Sequence, residues 1–120
     1  MTQEGTERVE DRLRKALEAE SASARLQTAM AAGLRPRNAY IEILVERCAV
    51  EPDFFVRDML TWALIQHDRS LTLDRVLPQL RSPNPQARSQ ALHTLAKLGD
   101  PRAWPAITPE LLQDPEDEVA

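Results

Sequence analysis

Two histidines, one cysteine and a scatter of serines are the side chains of this 120-residue chain that could attack a substrate or hold a metal. Metal binding and general-base chemistry both need imidazoles and carboxylates that converge on one point. His67 and His93 fall ten and five positions after Arg57 and Arg88. On equivalent helices they therefore point about 140° apart, at roughly 100° per residue. The chain has no His-Glu pair, no HExxH and no second cysteine, so metal-ligand spacing is missing. Each histidine is expected to be solvated or to cap a helix. Cys48 shares an apolar stripe with Leu17, Leu80 and Leu111 and reads as a small core residue rather than a nucleophile or a chromophore-attachment thiol. Ser70, Ser82 and Ser89 have no base in a recognisable arrangement, and three glycines make no phosphate loop. No catalytic residue, metal or cofactor is expected, and the chain is not read as an enzyme.

Arginine is the other chemically capable type. Thirteen of the fifteen basic residues are Arg, whose planar fork suits carboxylates and phosphates. Arg25, Arg57 and Arg88 recur at spacings of 32 and 31 residues. They form either an anion-binding ladder or a structural column, and the elements that position them decide which. Four residues before each stand Ser21, Asp53 and Asn84, with Glu116 in a fourth copy; Ser, Asp and Asn are strong N-caps. One residue earlier come Glu20, Pro52, Pro83 and Pro115, and proline stops a preceding helix. Ala24, Val56, Ala87 and Val119 precede the column, and Ala32, Leu64 and Leu95 follow it by seven residues.

The first half of each unit carries its own stripe. Ile41, Leu44, Val45 and Cys48 follow helical spacing, as do Leu73, Val76, Leu77 and Leu80. Val9, Leu13 and Leu17 form a looser version, and Trp104, Ile107 and Leu111 continue the pattern. Each unit is therefore helix, turn, capped helix, turn. Neither helix buries its stripe alone, so units must stack. Period-2 alternation and Asn-Gly turns are absent. The boundaries are a flexible tail at 1–6 and one domain at 7–120, with units at 7–37, 38–69, 70–100 and an incomplete 101–120.

This grammar resembles the HEAT-repeat family, in particular its phycobilisome-lyase-like variant, most closely in "ARSQALHTLAKLGDPRAWPAITPELLQDPEDEVA" at residues 87–120. The stretch "VERCAVEPDFFVRDMLTWAL" looks like small bacterial HEAT-repeat proteins. The resemblance implies an all-α, right-handed α-solenoid of the HEAT/armadillo type. It also implies that the arginines of the column contact neighbouring loop carboxylates and carbonyls. HEAT-type iron hydroxylases rely on His-Glu dipeptides, which this chain lacks. In stacked hairpins of this kind the second helices line a concave side.

One stripe on those second helices differs from the core stripe. At one, five and eight positions after the arginine lie Leu26, Met30 and Gly33, then Asp58, Trp62 and Ile65, then Ser89, His93 and Ala96. Displayed Trp and Met are typical interface anchors. Leu26, Met30, Asp58, Trp62, Ile65, Ser89 and His93 are the candidate partner-binding residues, and Trp104 is expected to be shielded. Phe54-Phe55 are expected to pack at the core edge.

The expected function is a non-catalytic module that binds a protein or peptide partner. The alternative is a nucleic-acid binder of the HEAT-like DNA glycosylase kind; a chromophore lyase or other enzyme accessory is a third class. Net charge is −4, which disfavours polyanions, although residues 21–104 carry eleven basic and eight acidic groups. No apolar run approaches the roughly 20 residues of a membrane span and one cysteine suits a reducing compartment, so no membrane partner and a cytoplasmic location are expected. Only Val119 and Ala120 follow the last start signal. Trp104, Ile107, Leu111 and Leu112 therefore read as either the cut end of a longer repeat protein or a self-association edge, with 114–120 frayed.

Overall fold

The computed structural model describes residues 8–107. Every regular element among them is helical: α1 (Val9–Ala16), α2 (Ala22–Leu34), α3 (Asn38–Cys48), α4 (Phe54–Ile65), α5 (Arg69–Val76) and α6 (Pro85–Leu98), with 3₁₀ segments at Leu77–Arg81 and Pro101–Ala106. The tail at 1–6, the fourth-unit cap at Glu116, Leu111, Leu112 and the fraying of 114–120 lie outside the described residues.

The starts of the second helices α2, α4 and α6 are set by side-chain oxygens, as Asp68 sets that of α5. The Ala24 N–H donates to Ser21 Oγ at 3.2 Å. The Phe55 and Val56 N–H groups donate to Asp53 Oδ1 at 2.8 and 3.0 Å. The Gln86 and Ala87 N–H groups donate to Asn84 Oδ1 at 2.9 and 3.4 Å. Each cap satisfies amides that the first turn leaves without a helical acceptor. At the far end of α6, Gly99 takes φ 63°, the left-handed conformation that closes a helix and costs other residues strain.

The first helices pack together in order, α1 on α3 and α3 on α5; so do the second helices, α2 on α4 and α4 on α6. One core runs through all of them, with Leu17, Leu44, Leu60, Leu64, Leu80 and Leu95 almost wholly buried. Ile41, Leu44, Val45 and Cys48 are all buried, as are Leu73, Val76 and Leu80.

Four expectations change. The stripe from Leu73 to Leu80 does not ride on one α-helix, because Pro78 would remove a helical N–H and clash with the preceding turn. The chain tightens to 3₁₀ from Leu77. Trp104 is 63% exposed while Ala103 is buried. Pro101–Ala106 is 3₁₀ with Pro105 inside it, and three residues per turn shift the phase that 3.6 would give. Phe54 and Phe55 do not pack at the core edge; they are 62% and 69% exposed. Ala24 is exposed where Val56 and Ala87 are buried, so the seam of the first hairpin is open.

Candidate functional site

The arginine column faces protein acceptors. Arg25 donates from one terminal nitrogen to the carbonyls of Ala19 and Glu20, both at 2.8 Å. Arg57 repeats this with Glu51 and Pro52, both at 2.9 Å, and Arg88 reaches Ser82 at 2.9 Å. In each unit the side chain folds back from the first turn of the second helix and holds the carbonyls of the turn before it. One guanidinium thus fixes the angle at which a hairpin closes.

Glu51, which spacing did not single out, is the centre of this network and is fully buried. Its carboxylate accepts from Arg25 Nε at 2.9 Å and the second Arg25 terminal nitrogen at 3.0 Å. It also accepts from Arg47 Nε and the Asp53 N–H, both at 3.0 Å. Burial pushes the carboxyl up, but hydrogen bonds from Arg25, the Asp53 N–H and Arg47 outweigh it and hold Glu51 below the ordinary carboxylate range. The same hydrogen bond raises Arg25. Arg47 lies one helical turn before Glu51, which is the sequence signal that was there to find. No repeat marks it, because the matching positions hold Ala19 and Ser82.

The turns also bind one another. Asn84 Nδ2 donates to Ala49 O at 3.1 Å, and Gln86 Nε2 to Cys48 O and Glu51 O at 2.9 and 2.8 Å. The start of α6 is thereby tied to the end of α3, and the start of α4 is held from two sides.

His67 is buried, which corrects the solvated alternative. Its Nδ1–H donates to Ala63 O at 2.7 Å, satisfying a carbonyl in the last turn of α4, and its ring meets Tyr40 edge-on at 6.2 Å. His93 is exposed on α6. The Cys48 thiol is buried and pushed up to about 12 by desolvation, so it stays protonated and is a poor nucleophile. Among the described residues no three His, Cys, Asp or Glu side chains gather as a metal site.

The stripe that spacing offered as a candidate for partner binding is brought together only in part. Trp62 is half-buried, lying over Gly33 of α2 so closely that a Cβ there would overlap its ring. Leu26 and Ile65 are half-buried, Asp58 is exposed and Met30 is 38% exposed. Ser89 is buried and offers no surface, a correction that follows from the turn-to-turn ties of α6. Sequence reasoning missed Phe55. It stands one turn before Asp58, so Phe55, Asp58, Trp62 and Ile65 share one face of α4 at helical spacing. Phe54 and Phe55 meet edge-to-face with centroids 5.4 Å apart at 79°, a favoured aromatic geometry.

Compared with models of known families, with curated proteins and with solved structures, the chain matches none.

Proposed function

We propose that the chain is a HEAT-like helical-repeat module that holds a protein partner and performs no reaction of its own. The observation that carries this reading is the aromatic face of α4. Phe54 and Phe55 project into solvent from a helix start held by Asp53, Arg57 and Glu51. Rigid aromatic anchors on a preorganised backbone are the side chains that dominate interface energetics. Trp62, Ile65 and Met30 extend the face. Its chemically capable groups serve the fold instead: the Cys48 thiol is protonated, the His67 Nδ1 closes a helix end and the arginine column clasps turns.

The right-handed solenoid belongs to the same proposal. First helices pack on first helices and second on second, and the extents of 55 × 28 × 22 Å suit a short stack. The buried free Cys48 suits a reducing, cytoplasmic setting.

The test is affinity capture from the native cell with wild type and Phe54→Ser/Phe55→Ser, whose fold is checked by circular dichroism. A stoichiometric protein should be retained by the wild type and reduced at least tenfold by the variant. Equal retention would remove the α4 face as the binding surface.

A further inference from the structure

The open seam of the first hairpin has a definite shape. At the four positions where α4 packs Val56, Leu60, Ala63 and Leu64 against its partner helix, α2 offers only Ala24, Thr28, Ala31 and Ala32. A groove of about 330 Å³ is left between α1 and α2. Val9, Leu13 and Ala16 line it from α1, Thr28, Ala31 and Ala32 from α2 and Tyr40 from α3, together with Arg12 and Arg35. The α2 wall of the groove therefore carries no apolar side chain larger than alanine, and Arg12 and Arg35 line the same groove.

The chain carries a sequence of matching chemistry. Residues 105–120 hold five acidic and no basic groups, with Leu111 and Leu112 directly after Glu110. Leu111 lies four residues past Ile107, at most about 14 Å of extended chain. Its own groove is too far away: α2 packs on α4 and α4 on α6, and the Pro101–Ala106 segment sits against Leu77–Arg81. Helix layers 8–10 Å apart put the groove about 25 Å or more from Ile107.

We propose that the α1–α2 groove receives the Glu110-Leu111-Leu112 segment of a second copy of this chain, joining copies head to tail. The leucines cover Thr28 and Ala31 on the α2 wall of the groove. The carboxylates at 110, 114 and 116–118 lie against Arg12 and Arg35. Such a contact uses two different surfaces, so each copy keeps one groove and one segment free and assembly continues beyond the dimer. It leaves the Phe54–Phe55 face uncovered.

The experiment is sedimentation of the full chain over a concentration series at low salt, with two variants. Ala31→Glu/Arg35→Glu blocks the groove at exposed positions, and Leu111→Glu/Leu112→Glu blocks the segment; circular dichroism verifies that both fold. Wild type should form species larger than a dimer, weakened by added salt. Each variant alone should lose at least tenfold in association constant. Mixed together, they should form a one-to-one dimer and stop there, because one intact groove meets one intact segment. A synthetic peptide of residues 108–120 should break up the wild-type assembly, and a scrambled peptide should not. A wild type that stays monomeric to about 1 mM, variants that associate like wild type, or a mixture that stays monomeric would each overturn the proposal.

Discussion

At the scale of single residues, Glu51 does more than any other side chain to join the turns, and its charge sets how the fold meets acid. Its folded pKa lies below the ordinary value, and Asp100 is held at about 2 by the Arg102 side chain and N–H. A carboxylate with a depressed folded pKa stabilises fully above its unfolded value of about 4 and loses that contribution as pH falls through the folded value. The urea midpoint should therefore fall from about pH 5 down to pH 2, and Glu51→Gln should flatten that decline while lowering the plateau. An unchanged slope in the variant would show that the clasp does not titrate. Glu51→Ala strands Arg25 and Arg47 and should cost about 3 kcal/mol, read by urea unfolding at pH 7. Gly33 makes a second residue-scale case. Replacing a helical glycine by alanine normally gains up to about 1 kcal/mol. Here the new Cβ would lie 2.9 Å from Ala63 Cα and overlap the Trp62 ring, so Gly33→Ala should cost about 1–3 kcal/mol. The arginine spacing was legible in the sequence because three copies repeat it. Glu51 and the Gly33–Trp62 contact were not, because each occurs once and depends on how close two units approach.

Among the elements, the N-caps of α2, α4 and α6 and most of the apolar stripes were legible, since capping and helical periodicity are local. What local pattern could not carry was the phase of the 3₁₀ segments and the facing of Phe54-Phe55. Trp104 shows the consequence. With Trp62 half-buried and Trp104 exposed, acrylamide should quench Trp104 efficiently, and Trp104→Phe should leave a signal that is harder to quench. Equal quenching of both tryptophans would mean that Trp62 does not rest on Gly33. The start of α6 gives a sharper test, because Asn84 caps the helix with its oxygen and binds Ala49 O with its nitrogen. Asn84→Ala should cost about 1–2 kcal/mol. Ser82 accepts from the Asn84 N–H at 3.1 Å, a role outside the helix that spacing alone did not suggest, and Ser82→Ala should cost about 0.5–1 kcal/mol. Asn84→Asp separates the two roles: it keeps the cap oxygen and removes the donor to Ala49. A loss in Asn84→Asp close to that of Asn84→Ala would assign most of the energy to the tie between turns.

For the whole molecule, charge decides which class of partner the surface accepts. The net charge is −4, yet the excess of cations between residues 21 and 104 left a polyanion partner open in the sequence, because a count does not say where the guanidinium groups point. In the fold, Arg25, Arg57 and Arg88 are turned to carbonyls of their own turns. Arg14 pairs with Glu46 at 3.3 Å, Arg75 with Glu42 at 3.6 Å and Arg102 with Asp100 at 2.8 Å. A phosphate backbone would have to displace these acceptors at each contact, whereas ordinary non-specific DNA binding draws on cations free to release counterions. Affinity for duplex DNA should therefore be weaker than about 100 µM at 150 mM salt, at the weak end of non-specific binding. Fluorescence anisotropy with a labelled duplex across a salt series measures it. Binding tighter than about 1 µM with a steep salt dependence would displace the protein-partner reading. It would also require a basic surface assembled from Arg35, Arg37 and their neighbours rather than from the repeat column.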